Sequence, residues 1–131
     1  MSRFLLLVAD DLMVASRVEG AARHLGFSLR QARTPEQFWQ SVEEQPALVL
    51  LSTQHTRLDW EALLKDLATR PLPPPVLAFG PHMDADQRGR ARAAGVTKWV
   101  PNSRIATDLP QLIEALAKGP EVEGREPRAD P

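Results

Sequence analysis

Two adjacent carboxylates, Asp10 and Asp11, follow the apolar run Phe4-Leu5-Leu6-Leu7-Val8, and together they could hold a hard divalent cation through oxygen ligands. The same pair could simply start a helix, where carboxylates are favoured by the helix dipole. Ser52 and Thr53 close a second apolar run, Leu48-Val49-Leu50-Leu51, and His55 lies three residues beyond Ser52. A serine near a histidine suggests a nucleophile and its base. No glycine elbow surrounds Ser52, however, and a short exposed loop rarely fixes that geometry. His24, His55 and His82 are scattered over separate elements without ligand spacing, so no zinc site is expected. Gly80-Pro81-His82 lacks the glycine repeat and the lysine of a phosphate loop. Arg88, Arg90 and Arg92 form a basic cluster with Lys98, which reads either as a solvated face or as a docking surface. Nucleic-acid binding is not expected from it, because no reading element follows and the C-terminal tail is acidic on balance.

The elements that must position these residues follow from periodicity. Phe4 to Val8, Leu48 to Leu51 and Val76 to Phe79 are continuous apolar runs, as expected of strands buried on both faces. Phe27 to Ala32 and Val96 to Val100 are mixed in polarity and belong at sheet edges. Val14, Val18, Ala21, Ala22 and Leu25 make one helical stripe that Gly26 closes. Thr34-Pro35-Glu36-Gln37 starts a second helix, with threonine as the cap and proline in the first turn. Asp59 caps a third helix carrying Leu63, Leu64 and Leu67. Arg70-Pro71-Leu72-Pro73-Pro74-Pro75 cannot be helical and is a stiff connector. Asp84 to Ala94 forms an arginine-rich fourth helix, and Leu109, Leu112, Ile113 and Leu116 line a fifth, with Lys118 near its end and Gly119 ending it. Residues 1–118 make one domain, and residues 119–131 have too little to bury and are expected to be disordered.

Strands alternating with helices imply an α/β fold, a doubly wound five-stranded parallel sheet in the order 2-1-3-4-5. Its functional crevice lies at the carboxyl ends of the strands, where the order reverses. Asp10, Asp11, Ser52, Thr53, Gly80, Pro81 and Asn102 are expected there.

The chain resembles the receiver domain of bacterial two-component response regulators over roughly residues 3 to 118. The resemblance rests on the acidic pair, on Pro46-Ala47-Leu48-Val49-Leu50-Leu51, on Leu58-Asp59-Trp60 and on Ala93-Ala94-Gly95-Val96. It implies a (βα)5, flavodoxin-like fold and a site with Mg²⁺-binding carboxylates, a phospho-acceptor aspartate, a switch hydroxyl and a lysine. Carried across by position, the acidic pair is Asp10 with Asp11, or Ala9 with Asp10 under a tighter alignment of the first strand. Ser52 stands at the acceptor, Gly80 at the hydroxyl and Asn102 at the lysine, with Ser103 where the family has a proline. Trp99 matches the aromatic that changes rotamer. The resemblance therefore implies a pseudo-receiver, with the scaffold kept and the phosphorylation chemistry lost.

Composition narrows the classes further. A net charge of −1 supplies no global field for nucleic acid or an anionic membrane, and no membrane association is expected. The first apolar run is too short for a span or a secretory signal and is expected to be a strand. Cysteine is absent, which fits a reducing cytoplasm. The expected function is a phosphorylation-independent signalling or adaptor module rather than an enzyme, with no cofactor. Its expected partner is a protein or a second copy of the chain, met through the fourth helix, fifth strand and fifth helix around Arg88, Arg92, Lys98 and Trp99. Three other readings stay open: an unusual receiver still phosphorylated or cation-binding through Asp10 or Asp11, a small hydrolase or transferase centred on Ser52, and a small-ligand sensor using the vacated crevice.

Overall fold

The computed structural model describes residues 3–54, 56–82 and 85–117. Five parallel strands, β1 (Phe4–Val8), β2 (Ser28–Gln31), β3 (Leu48–Ser52), β4 (Val76–Gly80) and β5 (Lys98–Pro101), form one sheet in the order β2-β1-β3-β4-β5. Every residue of β1, β3 and β4 is buried. Strands covered on both faces have no solvent side, which is why these sequences are apolar throughout. Their side chains still alternate. Leu5, Leu7, Leu48, Leu50, Leu77 and Phe79 pack into one core layer, and Phe4, Leu6, Val49, Leu51, Val76 and Ala78 into the other.

Among the described residues, six helical segments cover these faces. On the first lie α1 (Leu12–His24), α5 (Asn102–Thr107) and α6 (Leu109–Leu116), through Val18, Ile105 and Ile113. On the second lie α2 (Pro35–Glu43), α3 (Trp60–Leu67) and α4 (Ala85–Ala93), through Phe38, Leu64 and Ala91. Local chemistry sets the helix starts. Thr34 Oγ1 accepts the Gln37 amide (3.1 Å), and Gln37 Oε1 accepts the Arg33 amide (2.8 Å). Asp59 Oδ1 accepts the Ala62 amide (3.2 Å). Each such cap typically contributes about 1 kcal/mol. Gly26 follows α1 with φ +86°, a left-handed conformation that a Cβ disfavours.

Three expectations need correction. The chain after β5 is not a loop leading to one final helix: Asn102 opens α5, and α6 follows after a break at Asp108. The cause is Pro110, which lacks the amide that would donate to the Ala106 carbonyl. That carbonyl accepts from Arg17 Nη1 of α1 instead (3.4 Å). Both edge strands have other bounds than expected: β2 runs Ser28–Gln31, leaving the buried Phe27 and Ala32 outside it, and β5 runs Lys98–Pro101 rather than Val96 to Val100. Helix α4 ends at Ala93 rather than Ala94, and its expected start at Asp84 lies outside the described residues. So does the expected disordered tail, together with Lys118, Gly119 and His55.

Candidate functional site

The carboxyl ends of β1, β3, β4 and β5 bring the sequence-predicted residues together. Asp10 and Asp11 leave β1, Ser52 and Thr53 end β3, Gly80 ends β4, and Asn102 follows β5. Both carboxylates are engaged. Asp10 Oδ2 accepts the Arg57 amide (3.2 Å) and lies 4.0 Å from the Arg57 guanidinium. Asp11 is the N-cap of α1, its Oδ1 accepting the amides of Met13 (2.8 Å) and Val14 (3.3 Å).

Ser52 is 1% exposed, and its Oγ accepts the Gln54 amide (3.2 Å). A serine cannot form an acyl phosphate and brings no charge to a cation. The Mg²⁺ that the resemblance implies does not fit this donor set. Asp11 is turned to its own helix, Asp10 to Arg57, and the third position is neutral. Among the described residues, no group of three His, Cys, Asp or Glu side chains could hold a metal ion.

Beside Ser52, Thr53 does what the sequence reading did not foresee. Its hydroxyl donates to Gln87 Oε1 of α4 (2.6 Å), and its amide donates to the Phe79 carbonyl (2.9 Å). A Cβ added to Gly80 would overlap this hydroxyl oxygen and stand 3.3 Å from both Gln87 Oε1 and Trp99 Cζ2. The space of a switch side chain at Gly80 is thus filled by a threonine from the neighbouring strand. Across the crevice mouth, Asn102 Nδ2 donates to Gln54 Oε1 (3.2 Å). At the three positions where the acceptor, the switch hydroxyl and the lysine would stand, the chain places neutral residues: Ser52, Gly80 and Asn102.

The proposed basic face needs one correction. Trp99 is 8% exposed and packs into the core layer shared with α3 and α4, so it offers little contact area to a partner. Gly80 has no side chain, and the indole lies against that space, its Nε1–H buried without an acceptor among the described residues. Arg88, Arg92 and Lys98 are exposed. Arg90 instead ties α4 to α3, donating through Nε (3.0 Å) and Nη2 (2.6 Å) to Glu61 Oε1. The hydrogen bond from Arg90 holds the Glu61 carboxyl below its ordinary pKa, and the same bond raises that of Arg90. The sequence cluster is therefore split between a structural clamp and three exposed cations around α4 and β5, of which Arg88 lies over the Trp99 ring at 6.0 Å.

Sequence reasoning missed Gln54, Arg57 and Gln87. Gln87 sits in the first turn of a helix whose N-terminus faces the crevice, the one signal that could have found it. The pairing of Ser52 with His55 involves a residue outside the described ones.

No family model and no curated protein sequence matches the chain. Solved structures do. A provisionally assigned response regulator from Chloroflexus aurantiacus J-10-fl superposes with a TM-score of 0.74 at 22% identity, over 90% of this chain and 100% of that one. The phosphorylated cyanobacterial phytochrome response regulator RcpA gives 0.74 at 14% identity, over 88% and 94%. The receiver domain of NtrX from Brucella abortus gives 0.66 at 22% identity, over 84% and 98%. With its all-parallel sheet order, this chain has the fold of the response-regulator receiver domains.

Proposed function

We propose that the chain is a degenerate receiver, a signalling or adaptor module that works without phosphoryl transfer and acts by binding a protein partner. The observation that supports this most is the crevice itself: a buried serine at the acceptor position, beside hydrogen bonds between the neutral side chains of Thr53 and Gln87 and of Asn102 and Gln54. Phosphoryl transfer requires fixed positive charge or metal where charge develops, each such contact being worth a few kcal/mol. None of Thr53, Gln54, Gln87 and Asn102 brings a charge.

The partner would meet α4, β5 and α6 around Arg88, Arg92 and Lys98. Exposed arginines on rigid elements are frequent interface anchors. Trp99 would support this face from beneath.

Incubation with acetyl phosphate and Mg²⁺, followed by intact mass spectrometry, tests the reading. A single unmodified species is expected. A stable adduct of one phosphoryl group mapping to the crevice overturns it. Ser52→Asp alone is also expected to stay unmodified, since the lysine and the switch hydroxyl are still missing.

A further inference from the structure

Charge is sorted unevenly around α4. On the side towards α3, Arg90 has two carboxylates, Glu61 at 2.6 Å and Asp86 at 3.7 Å. The side towards β5 is different. Arg88 lies over the Trp99 ring of β5, and Arg92, four residues on, shares its face of the helix. Both are exposed, as is Lys98 at the start of β5. Among the described residues, none of these three cations has a salt bridge. Like charges four residues apart on a helix repel, so the fold sets Arg88 beside Arg92 without a counter-charge of its own.

A second copy of the chain would not supply that charge. Between Ala85 and Leu116 the chain carries three carboxylates, Asp86, Asp108 and Glu114. Asp86 holds Arg90 and Asp108 holds Arg104 (2.9 Å), which leaves Glu114. A two-fold contact is self-complementary, so two copies meeting here would each bring Arg88, Arg92 and Lys98 to the same interface. One glutamate from each copy cannot balance them.

We infer that this face takes an acidic helical segment of a different protein, whose carboxylates pair with Arg88 and Arg92. The inference rests on the reading of this face as the partner surface and adds the chemistry of the partner. Side chains four apart on a helix stand about 5–6 Å from each other, so glutamates at i and i+4 of a partner helix match the two arginines in register. Each guanidinium can hold a carboxylate through two parallel N–H donors. Lys98 extends the positive field to the edge strand. A nucleic acid would meet the same three cations, but the chain carries a net charge of −1, so no wider field draws a polyphosphate.

NMR of the isotope-labelled chain, titrated with an alanine-based helical peptide carrying glutamates four residues apart, tests this. Saturable shifts confined to α4 and β5 are expected, and they should weaken as salt rises. The same peptide with glutamine for glutamate should not bind. Arg88→Glu with Arg92→Glu alters only exposed side chains, so circular dichroism should be unchanged while binding weakens by about tenfold or more. Arg23→Glu on α1 should leave binding as it is. Absence of saturable binding up to about 1 mM peptide, or equal binding of the glutamine peptide, overturns the inference. So does a dimer in sedimentation equilibrium that the double variant dissociates, or a DNA duplex that binds here more tightly than the peptide; either outcome keeps the face and changes its occupant. Shifts mapping outside α4 and β5 would remove the face itself, and with it the partner surface proposed above.

Discussion

One added methyl group at Gly80 tests whether the crevice is closed by its own side chains. Gly80 is not among the glycines with positive φ, so alanine is conformationally allowed there. On that ground alone the substitution would stabilise by about 0.4–1 kcal/mol, by restricting the unfolded chain. The packing reverses the sign. The new Cβ overlaps the Thr53 hydroxyl oxygen and approaches Gln87 Oε1 and Trp99 Cζ2 to 3.3 Å. Relief requires breaking the Thr53–Gln87 hydrogen bond, at about 0.5–1.5 kcal/mol, or shifting the indole, an overpacking strain of about 1–3 kcal/mol. The expected net loss is about 1–2 kcal/mol, a fall of roughly 0.5–1 M in the urea midpoint for a slope near 2 kcal/mol/M. Thr53→Ala removes the overlapping oxygen. In that background Gly80→Ala should cost less than about 0.5 kcal/mol, giving a coupling of about 0.5 kcal/mol or more. Urea unfolding followed by circular dichroism and tryptophan fluorescence supplies all four corners of the cycle. A Gly80→Ala protein as stable as its parent, or strictly additive effects, would refute the reasoning.

Trp99→Ala should cost about 3–5 kcal/mol, as truncation of a core tryptophan does, measured by thermal or urea unfolding. Arg88→Glu with Arg92→Glu should change stability by less than about 0.5 kcal/mol, because both side chains are exposed. Sedimentation or crosslinking should then show loss of self-association or of partner binding. Asp11→Ala should lose about 1 kcal/mol or more, since the side chain caps α1; a Mg²⁺ titration should show no tight binding. The Glu61 carboxyl has a lowered pKa in the folded chain, so its contribution is present above the ordinary carboxylate range. It is lost as pH falls through the lowered value. Glu61→Gln should therefore lower Tm at neutral pH and matter little once the parent's carboxylate is protonated in acid.

The sheet was legible because its signal is redundant. Three continuous apolar runs mark the central strands, and caps such as Thr34 and Asp59 act within a few residues of themselves. The break at Asp108 was harder, since Pro110 also suits the first turn of a new helix, and only Ile105 argued for helix before it. In the crevice the losses at Ser52, Gly80 and Asn102 could be read by position. Their replacements could not. Thr53 and Gln87 are 34 residues apart and meet only because β3 and α4 converge. Trp99 shows the same limit: the sequence leaves it either packed or part of a docking surface, and only the glycine on the neighbouring strand shows the room that takes it inside.

The place of β1 in the sheet also governs how the chain must be assembled. Both of its neighbours, β2 and β3, are synthesised after it. At about 5–20 residues per second, the roughly 40 residues between Val8 and Leu48 keep the Phe-Leu-Leu-Leu-Val run waiting on the order of 2–8 s for its second partner. During that time this fully apolar strand has only α1, the partly polar β2 and α2 to cover it. Slow, non-local pairing of this kind exposes apolar strands to other nascent chains. Yield on expression should therefore respond to chaperone supply and translation speed more than to the final stability of the fold.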